Sequence, residues 1–137
     1  MERTTRTAVL TVPPRDLTAV HELLRALWSD LPELPPADRF AFGTALVELA
    51  GNVVEHADDG RGLTCEIRVT AADDALAAQL QDTGRLAEVE LGERPMPDAL
   101  AERGRGLALV QRLVDDLAYE RDGGINRWRI ERRLQHA

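Results

Sequence analysis

Two hydrophobic periods take turns along the chain, and their succession predicts its elements. Residues 6–12 set Thr, Ala, Val, Leu, Thr and Val in alternation, which predicts a first strand ended by Pro13-Pro14. From Asp16 to Trp28, Leu17, Val20, Leu23, Leu24 and Leu27 recur at helical spacing, so a first helix starts near Pro14 or Asp16. Pro32, Pro35 and Pro36 stiffen the connection that follows. A second helix runs from Pro36 or Ala37 to Ala57, and Asp58-Asp59-Gly60-Arg61-Gly62 is a turn by composition. Leu63 to Thr70 alternates Cys65, Ile67 and Val69 with Glu66 and Arg68, and Ala75 to Gln81 places Leu76, Ala78 and Leu80 on one face. Both read as strands, joined by a turn over Ala71 to Asp74.

Residues 85–103 show no clean period and hold Gly92, Pro95 and Pro97. They read as a long loop with a short helical turn at Asp98 to Glu102, a length that in a compact domain usually accompanies function or mobility. Gly104-Arg105-Gly106 opens a third helix with Leu107, Val110, Leu113, Val114 and Leu117 along its apolar face. A strand over Ala118 to Arg121, a turn at Asp122-Gly123-Gly124 and a last strand over Asn126 to Leu134 complete the chain. Strands and helices segregate more than they alternate. The fold class expected is therefore α+β: a two-layer α/β sandwich, its sheet mixed and mostly antiparallel, with helices packed on one face.

The second helix carries more than a hydrophobic pattern. Glu48, Asn52 and His56 recur every four residues, and four residues advance a helix about 40° past a full turn, so the three form one polar stripe. Leu46, Leu49, Ala50, Val53 and Ala57 can occupy the other side. The stripe reads equally as a solvated face or as a face turned to a ligand, since a buried carboxylate, amide and imidazole all need partners.

Composition removes several classes of function. The 137 residues suit a single domain over 1–137. A formal charge of −7 argues against direct nucleic-acid binding, because phosphates demand a basic surface, but not against a small phosphorylated ligand. No apolar run approaches the ~20 residues of a membrane span, and the first ten residues lack the apolar core of a secretory signal. Cys65 is the single cysteine, so no internal disulfide forms and a reduced, cytoplasmic setting is expected. His21, His56 and His136 show no metal-site spacing, and no Gly-rich loop of the G-x-x-x-x-G-K-[ST] type occurs.

Three short segments remain: Glu48/Asn52 on a helix, Asp82-Thr83-Gly84 after a strand, and Gly104-Arg105-Gly106-Leu107 at a helix start. Each alone is weak, but their order and separation are fairly specific. The chain resembles the nucleotide-binding domain shared by gyrase, histidine kinases and mismatch-repair ATPases, and more closely the stand-alone anti-sigma-factor serine/threonine kinases of bacteria. V-E-L-A-G-N-V-V-E-H-A, Q-D-T-G, G-R-G-L-A-L-V and L-V-D-D-L-A-Y-E carry the resemblance, which covers about the whole chain.

The resemblance implies ATP and Mg²⁺ as cofactors. It implies Glu48 as general base toward a protein serine or threonine, and Asn52 as ligand to Mg²⁺ and neighbour of phosphate. An amide oxygen is a hard ligand suited to that ion, and a carboxylate one turn away can take a proton from a hydroxyl. Asp82 at a strand end can accept from the exocyclic amine of adenine, and Gly84 lets backbone approach the base. Gly104 and Gly106 are expected to offer backbone N–H groups to the phosphates at the positive end of the helix. Arg105 reads as a phosphate contact or as a solvated arginine, Arg94 and Arg103 likewise, and His56 as a packing residue. One departure stands out: the first glycine box of the broader family is D-x-G-x-G, and Leu86 occupies its second glycine. A side chain tolerates positive φ poorly, so the following segment enters differently.

The partners implied are a sigma factor, held from RNA polymerase, and a small antagonist (anti-anti-sigma) protein that the kinase phosphorylates. Neither nucleic acid nor membrane is a direct partner, and the resemblance also allows a homodimer. The rival reading is a partner-sequestering regulatory module, nucleotide-sensing or nucleotide-independent, that transfers no phosphate. Leu86 favours the rival; the retained Glu48 and Asn52 favour the kinase.

Overall fold

The computed structural model describes residues 3–14, 16–57, 60–84 and 101–134, with backbone alone for 101–105. Along the chain come β1 (Thr4–Val12), α1 (Thr18–Asp30), α2 (Pro36–His56), β2 (Leu63–Ala71), β3 (Ala75–Asp82), α3 (Ala101–Leu113), β4 (Asp116–Asp122) and β5 (Ile125–Arg133). The described strands form one sheet in the order β1-β2-β3-β5-β4. Each neighbouring pair runs antiparallel. The helices cover one face, giving the expected two-layer α+β sandwich.

Period-two patterning does the sorting. Cys65, Ile67 and Val69 of β2, Leu76, Ala78 and Leu80 of β3, and Trp128 and Ile130 of β5 all point to the helix layer and are buried. Between them Glu66, Arg68, Gln79 and Arg129 are exposed on the open face. Phe42, Leu46, Leu49 and Val53 of α2 fill the centre, Val20, Leu24 and Leu27 of α1 lie to one side, and Leu107 and Val110 of α3 to the other. The β4–β5 turn uses Gly123 and Gly124 at φ 58° and 79°, a pair of left-handed residues that suits the twist of a tight hairpin.

Two ion pairs tie the layers together. Arg6 of β1 donates to both carboxylate oxygens of Asp30, the last residue of α1, at 2.7 and 2.9 Å. Those hydrogen bonds hold the Asp30 carboxyl below the usual carboxylate range. Arg132 of β5 donates from Nε to Asp38 Oδ1 at 2.9 Å and from Nη1 to the Leu113 carbonyl at 2.8 Å. The start of α2 and the end of α3 are thus pinned over the same strand, which sets α3 along α2.

The boundaries depart from expectation in several places: β1 begins at Thr4, ahead of Arg6, and Leu117, expected on the third helix, lies in β4, because α3 ends at Leu113. Helix α1 begins at Thr18, because Asp16 Oδ1 accepts the Thr18 N–H at 3.2 Å and makes a turn ahead of it. Strand β4 runs from Asp116 to Asp122, longer than 118–121, because it pairs with β5 from Asp116↔Glu131 to Asp122↔Ile125. Helix α3 starts at Ala101, not at Gly104, so the helical turn expected at 98–102 and the third helix are one element where described. The loop expectation over 85–100, with Arg85, Leu86 and Arg94, lies outside the described residues.

Candidate functional site

The three segments singled out in the sequence meet on the C-terminal half of α2. Glu48 and Asn52 are half-buried on the side of the helix that faces α3. There α3 presents Gly106: a Cβ at that position would stand 3.2 Å from Glu48 Oε2, 3.5 Å from Asn52 Nδ2 and 4.0 Å from Asn52 Oδ1. A Cβ there would press on the tip of Glu48 and only touch Asn52. Asn52 Nδ2 is buried and has no hydrogen-bond partner among the described residues. His56, third in the stripe, is half-buried, its Nε2 3.7 Å from Glu55 Oε2.

The expectation that Gly104-Arg105-Gly106 opens the helix is corrected. Gly106 lies inside α3, past the first turn, where its N–H enters the intrahelical ladder, and Gly104 is the fourth residue of the described helix. Gly106 therefore serves here as a close-packing position, not as a free donor. Leu107, the next residue, is buried in the core at 5% exposure and anchors the helix on the sheet side. The side chains of Arg103 and Arg105 lie outside the described residues.

At the far end of α2, the Asp82-Thr83-Gly84 turn docks on the helix C-terminus. A Cβ on Gly84 would lie 2.4 Å from the Ala57 carbonyl oxygen, so the glycine is needed for that contact. Asp82 ends β3 facing inward and is 2% exposed. Its Oδ1 accepts the Gly84 N–H at 2.7 Å and Asn126 Nδ2 at 3.0 Å. Its Oδ2 is buried with no partner among the described residues.

Asn126 is the residue that sequence reading missed. At the start of β5 it is fully buried, and its Oδ1 accepts from Tyr119 Oη at 2.5 Å and from Arg121 Nη1 at 2.9 Å. The signal was present, since Asn126 is in phase with Trp128 and Ile130, so its amide had to be buried and needed partners. Across the sheet Cys65 pairs with Asp82. Burial first, and then the Asp82 charge, push its thiol up to about 12. A protonated, enclosed thiol is a packing residue, as its place in an alternating strand suggests.

Buried polar atoms are seldom left without partners, and each costs about 1–3 kcal/mol when they are. Two of them, an amide N–H and a carboxylate oxygen, occur in the segments gathered at this end of α2. One seeks an acceptor and the other a donor. Among the described residues no group of three His, Cys, Asp or Glu side chains converges to form a metal cage of its own. No described helix is long and apolar enough to cross a membrane.

Comparison with known proteins bears on the fold and the family. Curated proteins give no match. Among solved structures, the RsbU and RsbW domains of Rv1364c from Mycobacterium tuberculosis align over 100% of this chain and 34% of that one, at 17% identity and a TM-score of 0.63. The histidine kinase domain of the blue-light activated histidine kinase from Erythrobacter litoralis EL346 aligns over 82% of this chain and 58% of that one, at 16% identity and a TM-score of 0.54. The chain thus spans about a third of the first protein's length and under two thirds of the second's, and at these identities the likeness is one of fold. The family model described as the histidine kinase-like ATPase domain matches residues 10–131, a range that takes in the polar stripe of α2, Asp82-Thr83-Gly84 and all of α3. With its helix layer on an antiparallel sheet and these segments in that order, the chain belongs to the histidine kinase-like ATPase domain family.

Proposed function

We propose that the chain is an ATP- and Mg²⁺-dependent protein serine/threonine kinase that also acts as an anti-sigma factor. It binds a sigma factor and phosphorylates a small antagonist protein. The observation that carries this reading is the buried Asp82 Oδ2 without a partner, an acceptor in need of a donor that the described chain does not supply. The exocyclic amine of adenine is such a donor. The motif order shared with the bacterial anti-sigma-factor kinases supplies the rest, and the likeness in fold to a structure containing an RsbW domain is in keeping with it.

The residues present fit the nucleotide and the ion. Asp82 accepts from the base, and Gly84 fixes the turn that carries it. Asn52 has both ends to offer: Nδ2, unpartnered, suits a phosphate oxygen, and Oδ1 suits Mg²⁺. An ion held mainly by phosphate and water needs no protein cage, and when bound it supplies charge neutralisation on the phosphates. Glu48, one turn before Asn52, takes the proton of the attacking serine or threonine hydroxyl. Gly104, Arg105 and Gly106 border the phosphates, and Leu107 holds that end of α3 to the core.

Labelled ATP incubated with the chain and candidate antagonists tests the assignment. Glu48→Ala is expected to lower transfer by about 100-fold or more while ATP binding persists; transfer unchanged by the substitution rejects Glu48 as the base.

One observation favours the rival reading. With Gly106 inside α3, the helix keeps an N–H that phosphates would use, which suits a module that sequesters its partner without transferring phosphate. Calorimetry separates the cases. Absence of ATP binding leaves sequestration alone, and binding without transfer leaves a nucleotide-gated switch.

A further inference from the structure

We infer that Arg121 is a positioning residue for base recognition: by bracing the Asn126 amide and the Gly84 carbonyl together it holds Asp82 in place, with Oδ1 committed and Oδ2 presented to a purine's exocyclic amine. The inference rests on the nucleotide reading above and deepens it.

Each end of the Asn126 amide faces a neighbour of matching hydrogen-bond character. A guanidinium only donates hydrogen bonds, whereas a hydroxyl can donate or accept. Tyr119 Oη would therefore accept either orientation of the amide. Arg121 would not. Its Nη1, 2.9 Å from Asn126 Oδ1, requires an oxygen at that position. Reversing the amide would set its NH₂ against the guanidinium and its oxygen against the Asp82 carboxylate, donor to donor and acceptor to acceptor.

With the orientation settled, Asn126 Nδ2 points to Asp82 Oδ1 at 3.0 Å and to the Gly84 carbonyl at 3.2 Å. Asp82 Oδ1 then holds two donors, Nδ2 and the Gly84 N–H, and Oδ2 is the oxygen left over. The same Arg121 Nη1 reaches the Gly84 carbonyl at 2.8 Å. One group from strand β4, opposite Asn126 in the register, thus holds the amide and the turn together. The carboxylate is locked with one face committed and one face presented.

Arg121 is exposed on an edge strand, so its replacement leaves the core intact. The test is calorimetry of the full chain with Mg²⁺-ATP and with Mg²⁺-purine riboside triphosphate, which lacks the 6-amino group. The wild type is expected to favour ATP. Arg121→Met, similar in length but without donors, is expected to weaken ATP about tenfold and the analogue less than about twofold. Arg121→Lys keeps one donor for Asn126 Oδ1 and is expected to hold ATP within about threefold of wild type. Equal weakening of both nucleotides by Arg121→Met, or no weakening of ATP, overturns the inference while the nucleotide reading stands. A wild type that binds both nucleotides alike, or neither, overturns the base reading itself and this inference with it.

Discussion

Gly106 rests against Glu48: a methyl group on the glycine would stand 3.2 Å from the carboxylate oxygen Oε2. The contact joins two residues on different helices and separates stability from function at one position. Alanine inside a helix is favoured over glycine by about 0.5–1 kcal/mol. The atom it would meet is the far end of a flexible side chain, which can move aside. Gly106→Ala is therefore expected to unfold within about 1 kcal/mol of wild type, or slightly above it. Phosphate transfer is expected to fall at least about tenfold, because Glu48 is displaced from its place beside Asn52. Thermal denaturation and a transfer assay on the same preparation check both halves.

Gly84→Ala has the opposite character. Its Cβ would lie 2.4 Å from the Ala57 carbonyl oxygen and 2.7 Å from the Ala57 Cβ, and backbone does not give way as a side-chain tip does. Overpacking of this kind costs about 1–3 kcal/mol. The variant is expected to lose about that much in a urea titration, with the m-value unchanged. An unfolding midpoint equal to wild type would mean that the turn does not dock on α2.

Cys65 predicts how stability responds to alkali. Its thiol has a reference value of 9.0 and is pushed to about 12 in the folded chain. Between those values the folded state keeps a proton that the unfolded state has lost. The stability this contributes is full below about pH 9 and declines as pH rises toward 12. At pH 10 the loss is about 1 kcal/mol. Unfolding free energies measured at pH 7, 9 and 10 are expected to show this slope in wild type and a shallower one in Cys65→Ala. Parallel slopes would place the thiol in a more open setting.

Much of the fold can be read along the chain because its cause is local. Cys65, Ile67 and Val69 alternate with charged residues, and Leu23, Leu24 and Leu27 recur at helical spacing, so each element announces which face it will bury. The polar stripe of α2 is legible for the same reason: Glu48 and Asn52 sit four residues apart on one helix, whatever that helix packs on. Helix α3 is where local reading misleads. Gly104 and Gly106 look like a break ahead of a helix, since glycine disfavours helix interiors. In the fold Gly106 is inside the helix, where it lies close against Glu48 and Asn52, and a Cβ there would press on the Glu48 carboxylate.

The sequence by itself determined the strands, the helices, their segregation into two layers, and the identity of Glu48, Asn52 and Asp82 as residues apart from the core pattern. It did not determine what holds Asp82. The Asn126 amide that bonds it lies 44 residues away, and the Arg121 that braces the amide sits on another strand. Periodicity is a relation between neighbours in the chain, whereas a hydrogen-bond network at a sheet end is a relation between strands brought together by register. Only the pairing of β3 with β5 and of β4 with β5 puts those groups within reach of one another, and so only the tertiary structure decided which oxygen of Asp82 stands open.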